Sequence, residues 1–412
     1  MILNITGLGA EMQGVGRAED GRVVFVPYAL PGERVDVEIA READRFLEGR
    51  MTGLIEASPQ RVDPVCPLYG RCGGCRTQHM TYQRSLELKT QIVRQQLERI
   101  GGLEAPNVLP TLGAEKPWRY RNKAEFFVST DPATRTPVIG VSALNSNAVL
   151  PVGDCMIQSE IAMQAIKAVE QWMLIYCVPA WDSAEGAEGG VRYVVTRVNH
   201  AGELMLVLCT TGRRVKYLNQ LYDMLNRQFP ERFRSLNHLS LARRPAHALD
   251  GRCEAVQGKR VLYDQLMGLT VEMSAKTFFQ VNHAQTEVLY ECVRRAAALT
   301  GGEQVIDAYC GCGTISLMLA REASHVTGVE ILESAVENAR LNAKRNRLTD
   351  KTEFIAGDAG KLVVDLLRQR ERVDLLVVDP PRKGVGAGLL EAMIRAQVPR
   401  LVYVSCNPGT LA

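Results

Sequence analysis

Three sets of side chains in this sequence have the types and spacing to do chemistry. One is a thiol. The apolar run Leu401-Val-Tyr-Val ends in Ser405-Cys406-Asn407-Pro408, so Cys406 stands where a strand gives way to a loop. A cysteine there is either a nucleophile or a small buried hydrophobe. The second set is acidic. Asp307, Glu330, Asp358 and Asp379 each follow an apolar run, in Asp307-Ala-Tyr-Cys-Gly311-Cys-Gly313-Thr314, Gly328-Val-Glu330, Gly357-Asp358 and Asp379-Pro-Pro-Arg-Lys-Gly384. The third set is a cysteine cluster, Cys66-Pro-Leu-Tyr-Gly-Arg-Cys72-Gly-Gly-Cys75. Its spacing is that of metal ligands, and it needs a fourth.

The acidic set has the pattern of an adenosine cofactor site. Glycines at a strand-to-helix turn, here Gly311 and Gly313, let the backbone approach a ligand closely. Glu330 lies 23 positions after Asp307, where a carboxylate at the end of a second strand accepts bonds from both ribose hydroxyls. The three-glycine spacing of a dinucleotide fingerprint is absent. Acidic residues after strands one to four read instead as a site for S-adenosylmethionine. Asp307 would compensate its sulfonium and amino charges, Glu330 would hold the ribose, and Asp358 would read the adenine amino group. The competing reading of each acidic residue is a helix N-cap.

These residues need a scaffold, and the pattern supplies one. From about residue 270, strands at 304–307, 325–330, 352–355, 373–379 and 401–405 alternate with helices near 314–322, 333–346, 360–369 and 387–397. That predicts a Rossmann-like, doubly wound parallel sheet, an α/β fold. Ligands bind beyond the carboxyl ends of such strands, which places Asp379 and Cys406 near the cofactor. Residues 1–58 predict short strands, at 22–26 and 34–39, around the turn Pro31-Gly32, and so a small β-barrel of the OB type. A helix is expected over 82–100, stopped by Gly101-Gly102. Residues 120–265 predict an α+β domain, with strands at 123–128, 191–198 and 203–209, helices at 160–176 and 215–229, and a loop at 181–190. The expected domains are therefore 1–58, 59–268 and 269–412, part of 85–122 packing with the last.

A chain of 412 residues is long enough for two or three domains, and its composition is that of a globular protein. No apolar run reaches the ~18 residues of a membrane span. The start lacks a basic stretch followed by an apolar core, so no secretory signal is read and the cytoplasm is expected. There the eleven cysteines are not expected to be disulfide-bonded. Net charge is only +3, but residues 1–58 carry a net of −4 and residues 59–130 a net of +5. Nucleic-acid phosphates would meet the second stretch.

In order along the chain, Cys66-x5-Cys72-Gly-Gly-Cys75, Phe278-Phe-Gln280-Val-Asn282, Asp307-Ala-Tyr-Cys-Gly-Cys-Gly313, Gly328-Val-Glu330, Asp379-Pro-Pro-Arg-Lys-Gly384 and Ser405-Cys-Asn-Pro408 recur as a set. The set resembles the RNA uracil-5-methyltransferases, in particular the 23S ribosomal RNA branch with an N-terminal TRAM domain. The resemblance implies Cys406 as nucleophile. Carbon 5 of uracil is a poor nucleophile, and a thiolate adding to carbon 6 creates an enolate that makes carbon 5 reactive. It also implies that Gln280, Tyr309, Glu330 and Asp379 contact the cofactor or the target base, with Thr314 and Asp358 beside them. The base must be unpaired or flipped. Arg382 and Lys383 would meet flanking phosphates; otherwise they are solvated loop charge.

The same resemblance implies Cys155 as the fourth ligand of a [4Fe–4S] cluster with Cys66, Cys72 and Cys75; zinc is the alternative metal. Cys177, Cys209, Cys253, Cys292 and Cys312 are expected in the core, and Cys310 is assigned no chemistry. The partner is RNA, expected to be ribosomal, and the chain a monomer. Family members carry a general-base glutamate beyond the Ser-Cys-Asn-Pro loop, whereas this sequence ends at Ala412. The expectation is a truncated piece or a form unable to complete proton removal. Competing functions are a non-catalytic RNA-binding protein, a tRNA uracil-5-methyltransferase and an amino-group methyltransferase. The last usually follows Asp-Pro-Pro with an aromatic residue, where this chain has Arg382, and needs no cysteine at 406.

Overall fold

A computed structural model describes residues 1–412 apart from 182–189, 213, 243–244 and 370–371. Most of the loop expected at 181–190 lies outside the described residues. The chain divides into two compact units, one of Met1–Pro117, Ser142–Leu150 and Pro408–Ala412, the other of Trp118–Val141 and Pro151–Asn407.

In the first unit, residues 2–56 form a six-stranded sheet. Alternation does the sorting: in the strand Arg34–Glu42, Val35 and Val37 are buried while Arg34, Asp36 and Glu38 face water. Leu3, Ile5, Val24, Val26 and Leu47 complete that small core. The amide of Thr6 donates to the carbonyl of Val15 at 2.8 Å, extending by one residue the pairing of Gly7–Leu8 with Gly14–Arg17. The expected helix is present as Tyr82–Arg99. It is capped by Thr81, whose hydroxyl accepts from the Arg84 amide, and it buries Leu88 and Ile92.

The second unit holds the parallel sheet. Five parallel strands, Gln304–Ala308, His325–Glu330, Thr352–Ala356, Leu375–Val378 and Arg400–Tyr403, lie in the spatial order third, second, first, fourth, fifth. The order reverses on either side of the first strand, which makes its carboxyl end the switch point of the sheet. Helices Thr314–Ala320, Glu333–Arg345, Ala359–Gln369 and Ala387–Arg395 make the crossovers. A mixed sheet precedes this frame, with strands Gly251–Gly258, Phe233–Leu241, Leu204–Thr210, Val191–Val198, Lys123–Thr130 and Pro137–Ser142 side by side in that order. Val195, Met205, Val207, Cys209 and Leu239 on one of its faces share a continuous core with Leu262, Leu269, Val271, Phe279, Leu317 and Val326. The hairpin Leu262–Leu266 with Leu269–Met273 and the helix His283–Ala297 lie between these parts, and neither is legible in the sequence pattern.

Two of the cysteines expected in the core are exposed, Cys177 and Cys292. Cys177 sits in a left-handed turn just past the helix Glu160–Ile175. Cys292 lies on the side of its helix opposite the buried Thr286, Tyr290, Val293 and Ala297. No disulfide is present among the described residues, and no described helix is long and apolar enough to cross a membrane.

Candidate active site

The acidic residues gather at the carboxyl edge of the parallel sheet, each for a local reason. Asp307 is the penultimate residue of the first strand, with 0% of its surface exposed. Ser316, in the first turn of the following helix, donates to its Oδ2 at 2.5 Å, and Oδ1 has no partner among the described residues. Burial pushes the Asp307 carboxyl up to about 7; the Ser316 bond opposes this and the nearby charges of Asp379 and Glu330 add to it. Asp379, at the end of the fourth strand, is pushed up by burial to about 6. Glu330, at the end of the second strand, ties down the glycine loop: Oε2 accepts from the Gly311 amide at 3.1 Å and Oε1 from the Leu332 amide at 3.0 Å.

The loop from 309 to 313 turns through left-handed backbone at Tyr309, Gly311 and Gly313. The two glycines differ. A side chain on Gly311 would meet nothing within 4 Å, whereas one on Gly313 would meet the Phe354 ring at 2.9 Å. Gly311 therefore faces open space and Gly313 is pressed into the core. Thr314 is buried, its hydroxyl 2.6 Å from that of Tyr290. The Tyr309 phenol is held above its ordinary range by burial and the field of Asp358. Asp358 itself is an N-cap, Oδ1 accepting from the Lys361 amide at 3.1 Å ahead of the helix Ala359–Gln369. The thiols of Cys310 and Cys312 are buried and pushed up by that burial, Cys312 to about 11.

Gln280 lies in an irregular segment before the helix His283–Ala297; its carbonyl accepts from Nδ2 of Asn122 at 2.8 Å. Beyond the fifth strand, Ser405 folds a tight turn. Its Oγ accepts from the Asn407 amide at 3.2 Å and donates to the Asn407 carbonyl at 3.0 Å, so Cys406 is presented on the outside, exposed. The fourth and fifth strands are paired neighbours, Val378 opposite Tyr403, so the loops carrying Asp379 and Cys406 leave adjacent strands on the same edge. The Val385 amide donates to the Tyr403 hydroxyl at 3.2 Å and ties the loop after the fourth strand to the end of the fifth. Arg382 and Lys383 are exposed in the turn closed by the Gly384 amide on the Pro381 carbonyl.

A glycine loop open to a ligand, beside three carboxyl groups of which one keeps an unpartnered buried oxygen, fits a cofactor bearing positive charge and an adenosine. Sequence reasoning missed Tyr290, Ser316 and Asn122. The first two take up the hydroxyl of Thr314 and one oxygen of Asp307; the third holds the segment carrying Gln280.

Cys66, Cys72 and Cys75 lie in an irregular loop of the first unit, and Cys155 belongs to the second. The Gly74 amide donates to Cys72 Sγ at 3.4 Å, and the Cys66 amide donates to Gln78 Oε1 at 3.2 Å. The donor set, thiols outside any disulfide with an amide directed at one sulfur, suits a thiolate-ligated metal. Among the described residues no three Cys, His, Asp or Glu side chains are grouped closely enough to hold a metal ion.

Residues 254–412 match the family described as tRNA (Uracil-5-)-methyltransferase, and residues 3–52 match the TRAM domain. An uncharacterised RNA methyltransferase of Halalkalibacterium halodurans is 39% identical over 97% of this chain and 86% of its own length. One of Listeria monocytogenes is 38% identical over the whole of this chain and 89% of its own. Among solved structures, the tRNA (uracil-54, C5)-methyltransferase of Pyrococcus abyssi, in complex with S-adenosyl-L-homocysteine, shares the fold. Its TM-score is 0.78 at 23% identity, over 100% of this chain and 92% of that one.

Proposed function

The chain belongs to the RNA uracil-5-methyltransferase family, an S-adenosylmethionine-dependent group of enzymes, and we propose that it methylates carbon 5 of a uridine in 23S ribosomal RNA through a covalent bond from Cys406. The observation that carries the mechanism is the exposed Cys406 turn, on the strand next to the one ending in Asp379. S-adenosylmethionine, when bound, supplies an electrophilic methyl group. The chain's own part begins with the Cys406 thiolate, which adds to carbon 6 of the uracil and places an electron pair on carbon 5. After carbon 5 has taken the methyl group, its proton leaves to a base, the carbon 5–carbon 6 double bond reforms and the thiolate departs. Gln280, Tyr309, Asp307, Gly311, Gly313, Thr314, Glu330, Asp358 and Asp379 make up the cofactor and base pocket. Glu330 takes the ribose hydroxyls with acceptor capacity beyond its two amide bonds. Asp307 acts from beneath the loop as a buried counter-charge. Arg382 and Lys383 meet phosphates beside a base turned out of its stack.

The test is trapping. RNA bearing 5-fluorouridine should form a stable covalent complex, because fluorine cannot leave as a cation and the thioether stays intact. Cys406→Ala should form none; adduct formation by that variant at the wild-type level removes Cys406 from the reaction.

Cys66, Cys72, Cys75 and Cys155 are the ligands we assign to a [4Fe–4S] cluster, with zinc as the alternative; bound, it would brace the irregular cysteine loop. The working form is a cytoplasmic monomer. A tRNA substrate is the second reading, favoured by the description of the family matched over 254–412. Mass spectrometry of RNA from a deletion strain separates the two, by whether 5-methyluridine is lost from ribosomal or transfer RNA.

A further inference from the structure

The stretch from 274 to 281, which leads to Gln280, contains no helix or strand. An irregular segment has no ladder to satisfy its backbone, so its carbonyls need other donors. They find them one after another. Arg197 donates from Nε to the Ala275 carbonyl at 3.1 Å and from Nη2 to the Thr277 carbonyl at 2.5 Å. The Cys312 thiol points to the Phe278 carbonyl at 3.9 Å. Asn122 donates from Nδ2 to the Gln280 carbonyl, and its amide donates to the Val281 carbonyl at 2.9 Å. Ser274 and Thr277 close a local turn with their hydroxyls 2.7 Å apart. While the backbone is held on this side, Phe278 is left 74% exposed on the other.

Arg197 is the unusual member. It stands in the strand Val191–Val198, on the face that carries Val195 into the shared core, and is 1% exposed. Its hydrogen bonds among the described residues run to main-chain carbonyls, not to a carboxylate. Burial pulls the guanidinium down to about 10, so it stays charged at neutral pH. Burying such a cation is costly, and an apolar residue would fill the same space. What the guanidinium adds is a rigid planar fork that fixes two carbonyls two residues apart.

We propose that Arg197, with Asn122, is a positioning residue for methyl transfer: the central sheet grips the backbone of 275–281 so that Gln280 and Phe278 face the reacting groups. The proposal rests on the reading that Gln280 serves the site. It gives the mixed sheet a direct part in assembling the pocket.

The test is a double-mutant cycle on the full chain with Arg197→Met, Arg197→Lys, Asn122→Ala and Gln280→Ala. Initial rates of methyl transfer to a uridine-containing RNA are read together with thermal unfolding and amide exchange over 274–282. Arg197→Met should lower the rate roughly tenfold or more, the cost of a small misplacement, and speed exchange in that segment. Arg197→Lys should recover part of the rate. The Arg197→Met, Gln280→Ala double variant should be no slower than the slower single one, since both changes disable the same element. If Arg197→Met does not fold, the same cycle is read with Asn122→Ala. Losses that multiply in the double variant, or a wild-type rate in Arg197→Met and Asn122→Ala while Gln280→Ala is slow, overturn the positioning role. A wild-type rate in Gln280→Ala overturns the Gln280 reading and with it this proposal.

Discussion

Ser316 donates a 2.5 Å hydrogen bond to Oδ2 of Asp307 and leaves Oδ1 of the same fully buried carboxyl without a partner among the described residues. The bond joins the end of the first strand to the start of the helix after it. Burial, against the pull of that bond, makes the same carboxyl a proton-binding site two residues before the 309–313 loop.

The first prediction follows from that site. Asp307 is raised to about 7 and Asp379 to about 6, both above the usual carboxyl value of 3.8. Between about 4 and 7 the native chain therefore binds more protons than the unfolded one, and this contribution to stability falls as pH rises through the window. A cofactor with positive charge favours the ionised carboxyls. Its binding should release protons and tighten by up to about tenfold per pH unit for each proton released, levelling off above about pH 7. Asp307→Asn keeps an acceptor for Ser316 and should flatten both profiles. Calorimetry of S-adenosylmethionine binding in buffers of different ionisation enthalpy checks this; an affinity independent of pH below 7 contradicts it.

The second prediction concerns Glu330. Glu330→Ala removes a charge-assisted partner for the ribose and should weaken S-adenosylmethionine by about 1–3 kcal/mol. Because the same carboxylate accepts from the amides of Gly311 and Leu332, amide exchange in the 309–313 loop should also speed up. Unchanged affinity in calorimetry would take Glu330 out of the site.

The third separates two glycines that look alike in sequence. Gly313→Ala places a methyl group 2.9 Å from the Phe354 ring on left-handed backbone. Overpacking there should cost about 1–3 kcal/mol of stability, read by denaturant unfolding. Gly311→Ala meets no neighbour. It should cost only the left-handed backbone term that Gly313→Ala carries as well, about 1–2 kcal/mol, and show chiefly as weaker binding of S-adenosylhomocysteine. A reversed pattern would mean that Gly313, not Gly311, faces the cofactor.

Much of this frame can be read from sequence because its elements are locally consistent. His325-Val-Thr-Gly-Val-Glu330 is a strand with the expected bounds, as is Val191–Val198. Asp358 has a signal that fits two roles, and the N-cap alternative is present in the hydrogen bond to Lys361. The helix His283–Ala297 escaped because two of its four buried positions, Thr286 and Tyr290, are not plainly apolar and its cap, Asn282, lies inside a motif read for chemistry. Arg197 had no signal at all. An arginine in an apolar strand reads as a solvent-facing residue, and only the register against Met205 and Lys123 shows which face it occupies. Long-range pairing, absent from any local pattern, decides such positions.

The last prediction concerns the cysteines. If Cys66, Cys72, Cys75 and Cys155 ligate a [4Fe–4S] cluster, protein purified without oxygen should be brown and carry about four irons per chain. Serine at any of the four should lower the iron content, since an alkoxide is a poor substitute for a soft thiolate. Serine at Cys177 should not, because that thiol lies exposed past the end of the helix Glu160–Ile175. The loop around Cys72 has no helix or strand to hold it. Metal removal should therefore expose it, and limited proteolysis should cut near 66–75 in the stripped protein before the holo form. One zinc and no iron after anaerobic preparation would replace the cluster by the tetrahedral alternative, with the same four serine variants losing it. Metal content indifferent to all four substitutions would leave these thiols without a ligand role.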